Sequence, residues 1–137
     1  MPAPRRRRRH LSRMNILGIG VDFVEVERIA ASHQRHGDVF LRRVFTAAEV
    51  TTCGGRAERL AARFAAKEAV AKAFGTGLGA AMTFQEIEVI NEASGRPRVV
   101  LHGAAAATAA DRGMLEIHLS LSHTASHAMA CAVVIGA

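Results

Sequence analysis

Apolar and polar positions follow two periods along this chain, and the changes of period mark its elements. Asn15 to Val21 is short and rich in branched residues, with Gly18 and Gly20 inside it. This predicts a strand whose backbone is closely approached by another element. From Val24 the spacing becomes helical: Val24, Ile29 and Ala31 are apolar, Glu25, Glu27, Arg28 and Arg35 are polar, and Gly37 ends the run. Thr46-Ala47-Ala48-Glu49 has the form of a capping box and predicts a short helix, which Gly54-Gly55 breaks. Ala57 to Phe74 is the longest helical signal, closed by Gly75, Gly77 and Gly79. Phe84–Asn91 and Arg98–His102 are predicted strands joined by a turn over 92–97, and Ala104–Arg112 is a predicted Ala-rich helix. Ile117, Leu119 and Leu121 alternate with His118, Ser120 and Ser122, and Ala128–Ile135 is almost wholly apolar, so the last two strands form a hairpin around 123–127. The order of one strand, several helices and then mostly strands predicts an α+β fold.

The helix over 57–74 carries the chemistry. On a wheel of about 100° per residue, Leu60, Phe64, Val70 and Phe74 share an arc with Arg63 and Lys67, while Glu68 and Lys72 lie along its edge. Ala62, Ala66, Ala69 and Ala73 fill the opposite side. A helix apolar nearly all round is buried, and buried charges require partners or an ion. Glu68 and Lys72, spaced i,i+4, also fit a local ion-pair ladder. Asp22, at the end of the first strand, is placed either to cap a helix or to bind a metal. Asp22 and Glu68 together offer two carboxylates from different elements, a donor set that suits Mg²⁺ completed by water and phosphate oxygens. Lys72 would then meet phosphate as a point charge, and the amides of the loop from Gly75 through Gly77 to Gly79 could cradle it. His123 stands at the tip of its strand behind two serines. No His/Cys spacing fits zinc.

Composition bounds the alternatives. The chain has 137 residues and half of them are hydrophobic, with no Trp or Tyr. That is room for one domain, and no stretch approaches the ~20 apolar residues of a membrane span. The small apolar side chains imply tight helix–sheet packing or a surface completed by a partner. Of 18 basic residues, Arg5 to Arg9 and Arg13 lie before Met14; the other 12 balance 12 acidic ones, so residues 14–137 are formally neutral. Residues 1–13 are expected to be a disordered basic extension. A nucleic-acid-binding module using this Arg run is the alternative reading of the chain. Cys53 and Cys131 form no disulfide framework, and free thiols fit a cytoplasmic protein. A Ser/His hydrolase built from Ser120 or Ser122 with His123 and Asp22 fails because neighbouring strand residues point to opposite faces and no nucleophile elbow is present.

Three strings together resemble a known family. These are Gly18-Ile19-Gly20-Val21-Asp22 with Glu27-Arg28-Ile29, Arg63-Phe64-Ala65-Ala66-Lys67-Glu68-Ala69 with Lys72-Ala73-Phe74-Gly75-Thr76-Gly77, and Ser120-Leu121-Ser122-His123. They are similar to the holo-[acyl-carrier-protein] synthases, the small bacterial-type members of the 4'-phosphopantetheinyl transferase superfamily, from about Met14 to Val134. The resemblance implies a single domain with an antiparallel sheet packed against a long central helix. It implies transfer of phosphopantetheine from coenzyme A to a serine of apo-acyl carrier protein, releasing adenosine 3',5'-bisphosphate. Asp22 and Glu68 would hold Mg²⁺, Lys72 would stabilise phosphate charge, and Arg63 and His123 would contact coenzyme A phosphates. Gly95 and Pro97, in the turn Ser94-Gly95-Arg96-Pro97, would lie near the coenzyme A site, with Arg96 replacing a commoner Lys. Arg28, joined by Arg35, would dock the acidic carrier protein. The resemblance also implies a homotrimer with the site between subunits.

Overall fold

The computed structural model of the protein describes residues 13–79 and 82–137, and the expected basic extension lies outside the described residues except for Arg13. The elements run β1 (Asn15–Glu25), α1 (Val26–His36), α2 (Asp38–Val44), α3 (Ala47–Cys53), α4 (Ala57–Phe74), a 3-10 turn (Phe84–Glu86), β2 (Ile87–Asn91), β3 (Pro97–Leu101), α5 (Gly103–Asp111), β4 (Met114–His123) and β5 (His127–Gly136). An antiparallel sheet in the order β1-β5-β4 lies against α4, and β2 and β3 form a separate antiparallel hairpin. The fold is α+β, as the element order predicts.

The first strand is longer than its sequence pattern. Pairing with β5 continues to Glu25 opposite His127, so Val24 belongs to the strand and α1 starts at Val26. The helical spacing misassigned its start because Val24 is buried on the sheet, whereas Ala31 is exposed and Val26 and Ile29 are the buried residues of α1. Asp22 is therefore inside β1, opposite Ala130, and neither ends the strand nor caps a helix.

The face of β1 turned to α4 explains its glycines. A Cβ on Gly18 would lie 1.9 Å from the Ala73 carbonyl oxygen, and one on Gly20 would lie 1.8 Å from that of Ala69. The strand backbone rests directly on the helix backbone, which leaves no room for a side chain. The alanines of α4 complete this packing: Ala62, Ala66, Ala69 and Ala73 are all buried, facing a β5 whose inner side is Ala128, Ala130, Ala132 and Val134. The small residues thus serve packing within the chain. The unfilled apolar surface is elsewhere, on the outer face of the sheet, where Ile19, Val21, Phe23 and Met129 are exposed.

The capping box forms as its sequence predicts. Thr46 Oγ1 accepts from the Glu49 amide, Glu49 Oε1 accepts from the Thr46 amide, and Gly54 closes α3 in the left-handed conformation. No described helix is long and apolar enough to cross a membrane.

Candidate active site

Side chains two apart on a strand share a face, so Asp22 follows Gly18 and Gly20 towards α4. There Lys72 Nζ donates to Asp22 Oδ1 at 3.1 Å and to the Val21 carbonyl at 3.0 Å. An ammonium has three donors, which leaves one N–H of this half-exposed lysine for a further acceptor. Glu68, one turn back, is held above the ordinary carboxylate range by burial first and by the Asp22 carboxylate second, against the opposing charges of Lys72 and Arg28. The Glu68–Lys72 ladder allowed by the spacing is not among the ion pairs of the described residues, since Lys72 pairs with Asp22 instead. Two carboxylates thus crowd one lysine. That charge balance and all-oxygen donor set fit a hard divalent cation with open coordination positions. Among the described residues no group of three or more His, Cys, Asp or Glu could hold a metal, so any such ion would take its other ligands from solvent or substrate.

Lys67 resolves differently. It is fully buried, and its ammonium donates to Glu49 Oε1 at 2.7 Å and to the carbonyls of Phe84 and Ile87 at 2.9 and 2.6 Å. All three donors are used. Burial pulls its pKa down and Glu49 opposes that shift. Glu49 also accepts from the Val89 amide, so this pair ties α3, α4 and β2 together. The capping box accounts for Glu49 in the sequence, but not for its second role.

Arg63 is the reverse case. It is 5% exposed, yet its Nε and Nη2 have no hydrogen-bond partner among the described residues. A buried donor without a partner costs roughly 1–3 kcal/mol, more when charged. The side chain lines a cavity of about 500 Å³ with Gly95, Pro97 and His123. The β2–β3 turn supplies the first two: Glu92 and Arg96 close it by an amide–carbonyl bond of 2.8 Å, and Gly95 has φ 88°, a conformation that favours glycine. His123 is the last residue of β4, exposed at the mouth. Residues from three segments distant in sequence therefore meet in one place. Thr52, Arg59, Asn91 and Ser120 also line this cavity. Of these, Ser120 belongs to the Ser120–His123 string of the sequence, and Arg59 lies one helical turn before Arg63.

Gly75 and Gly77 are not at this cavity. The amides of Gly75, Gly77 and Gly79 donate to the carbonyls of Lys72, Ala71 and Met82. The amides of Gly75 and Gly77 are thus taken up in closing α4, with Gly75 left-handed at φ 77°, and that of Gly79 is taken up within the loop that follows. On α1, Arg28 and Arg35 line an open groove with Ser32 and Gln34. Arg28 is also near enough to Glu68 to favour its ionised form, so this groove borders the carboxylate cluster.

Known proteins share this arrangement of sequence and fold. The family model of the 4'-phosphopantetheinyl transferase superfamily matches residues 18–132. The holo-[acyl-carrier-protein] synthase of Koribacter versatilis is 51% identical over 122 residues, covering 87% of this chain and 98% of that protein. The crystal structure of the holo-[acyl-carrier-protein] synthase of Neisseria meningitidis superposes with a TM-score of 0.81 at 33% identity, covering 88% of this chain and 98% of that one. The Helicobacter pylori holo-[acyl-carrier-protein] synthase in complex with coenzyme A gives 0.79 at 29% identity, over 85% and 98% of the two chains. By its match over nearly all the described residues, this chain belongs to the 4'-phosphopantetheinyl transferase superfamily.

Proposed function

We infer that the protein is a holo-[acyl-carrier-protein] synthase, which moves the 4'-phosphopantetheine arm of coenzyme A onto a serine hydroxyl of an apo-acyl carrier protein. The observation that carries this reading is Arg63: a buried guanidinium whose Nε and Nη2 have no partner among the described residues, on a side chain that lines a cavity with His123, Gly95 and Pro97. Family membership supplies the chemistry that such a cationic cavity fits. Arg63 and His123 bind phosphate oxygens of coenzyme A, and the Gly95–Pro97 turn forms the opposite wall.

Asp22 and Glu68 would hold Mg²⁺, which would supply charge neutralisation at the coenzyme A pyrophosphate. Lys72, oriented by Asp22 and the Val21 carbonyl, gives its remaining N–H to the transferring phosphoryl group. In phosphoryl transfer, positioning and charge stabilisation supply most of the acceleration, and these residues do both. The bond formed is from the serine oxygen to phosphorus, and the bond broken is the pyrophosphate link. Adenosine 3',5'-bisphosphate leaves with the electron pair, and the proton of the serine hydroxyl passes to solvent.

Arg28 and Arg35 dock the acidic carrier protein across the α1 groove beside Glu68. Three copies of the chain assemble through the outer sheet face, where Ile19, Val21, Phe23 and Met129 are exposed, and each site is completed at a subunit seam. The catalytic unit is residues 14–137. The protein works in the cytoplasm, in keeping with its two free cysteines.

The test is incubation with coenzyme A, Mg²⁺ and several apo-acyl carrier proteins, read by intact mass. A gain of one phosphopantetheine is expected, and it persists in a chain that begins at Met14. No gain on any carrier protein overturns the assignment. Sedimentation of the purified protein as a monomer at micromolar concentration would overturn the trimer.

A further inference from the structure

Arg28 stands between two sites that the reading above treats separately. It lines the α1 groove with Arg35, it is exposed, and it takes part in none of the ion pairs among the described residues. Its backbone is held in place, because α1 packs on α4 and Val26 and Ile29 are buried in the core. Arg28 is therefore anchored at its base and uncommitted at its guanidinium. Glu68 likewise has no ion-pair partner among the described residues, since Lys72 is committed to Asp22 and the Val21 carbonyl. The charge of Arg28 nevertheless acts on Glu68 and favours its ionised form.

Formal charges show what this closeness does. Asp22 and Glu68 carry two negative charges, and Lys72 and Arg28 carry two positive ones, so the four groups balance without a metal. A divalent cation held by the carboxylates, as proposed above, would give the same cluster a positive surplus. Arg28 is the member able to respond, because Lys72 is fixed by two hydrogen bonds. Like charges repel within a Debye length, about 8 Å at physiological ionic strength. Arg28 would then turn from Glu68 to the groove, where an acidic surface can meet it. Without the cation, the two carboxylates hold the charge of Arg28 and repel an acidic partner arriving beside them.

Building on the transferase reading, we propose that Arg28 couples the two sites: it balances Glu68 until a divalent cation takes over that carboxylate, and is then released to the acidic carrier protein. Cation and carrier protein therefore bind cooperatively, each tightening the other by the same factor, as linkage requires. The protein substrate is engaged once the metal that serves transfer is in place. Arg35 lines the same groove but is not among the charges that act on Glu68, so it docks without coupling.

The experiment measures carrier-protein binding by calorimetry, with coenzyme A present throughout and the acceptor serine of the carrier protein replaced by alanine, so that no transfer occurs. Titrations in Mg²⁺ and in a chelator are run at equal ionic strength. In the wild type Mg²⁺ lowers the Kd for the carrier protein about tenfold, within the usual range for coupling between two sites. In Arg28→Met the effect shrinks to about twofold, the screened remainder from masking the carboxylates. In Arg35→Met the carrier protein binds more weakly, yet the effect of Mg²⁺ stays about tenfold. In Glu68→Gln, where Arg28 has one charge fewer to balance, the Kd in chelator moves towards the wild-type value in Mg²⁺. Any action of Mg²⁺ on the carrier protein itself is common to all variants and cancels. A wild-type Kd indifferent to Mg²⁺, or a tenfold effect that survives in Arg28→Met, would refute the coupling. So would an equal loss of the effect in Arg28→Met and Arg35→Met. A wild type that neither binds this carrier protein nor loads the unmodified one instead overturns the transferase reading itself.

Discussion

Lys67 and Arg63 lie one turn apart on α4, and both are buried cations, yet the fold treats them oppositely. Lys67 has every donor satisfied, by Glu49 and two carbonyls. Arg63 has two nitrogens with no partner among the described residues, and its side chain lines a cavity. Burial alone does not separate a structural charge from a functional one. Satisfaction does, because an unpaired buried donor survives only where something outside the chain offsets its cost. The Asp22–Glu68–Lys72 cluster falls on Arg63's side of this divide: Lys72 pairs with Asp22, and Glu68 has no ion-pair partner among the described residues.

The largest expected effect breaks the structural half of the comparison. Lys67→Ala leaves Glu49 buried without its cation, at a cost of roughly 3–5 kcal/mol. Thermal denaturation should then show a midpoint lower by on the order of 10 °C. The double variant Lys67→Met/Glu49→Leu should recover much of that loss, since removing both charges removes the stranded one. No recovery would show that the pair contributes more than mutual satisfaction.

The functional half should respond in activity and not in stability. Glu68→Gln is expected to lower kcat by about a hundredfold or more, partly restored by raised Mg²⁺, while the melting temperature holds or rises. The rise follows because burial and Asp22 both disfavour the Glu68 charge. A melting temperature that falls with activity would place Glu68 with Lys67 as a structural residue.

A smaller effect sharpens the boundary between the site and the α1 groove. Arg28→Ala should raise the KM for the carrier protein by about tenfold and flatten its salt dependence, measured by loading rates over a salt series. A loss independent of carrier-protein concentration would contradict a docking role.

The smallest effect concerns a satisfied carboxylate that titrates. Thr46 Oγ1 donates to Glu88 Oε2 at 2.5 Å, and this bond is the main reason that Glu88 holds its proton less tightly than an ordinary glutamate. A carboxyl with a depressed folded pKa stabilises the fold above its unfolded value of about 4.3. That contribution disappears as pH falls through the folded value. Thr46→Ala, which also removes the α3 cap, should cost about 1 kcal/mol near neutral pH. The gap between variant and wild type should narrow in melts below about pH 4; a gap that widens there would refute the Glu88 linkage.

Much of this was legible in the residues. The apolar arc and glycine exit of α4, the Thr46–Glu49 box and the alternation of β4 are local signals, and the elements formed where those signals lay. The length of β1 was not legible, because Val24 fits a helical stripe as well as a strand face. Only pairing with β5 decided between them. The fate of the Gly75 and Gly77 amides was not legible for a related reason: sequence shows that they are present, but not that the helix end takes them up.

The sequence by itself determined which charges had to be explained, since four of them sit on a helix too apolar to be exposed. It also determined that two glycines mark a close approach, because no other residue tolerates one. Tertiary structure alone decided that the approach is to α4, which carries Asp22 to Lys72. It alone gave Lys67 to Glu49 and left Arg63 facing Gly95, Pro97 and His123. The physical reason is that the demand for a partner is a property of one buried charge. Which partner meets it depends on elements brought together from distant parts of the chain.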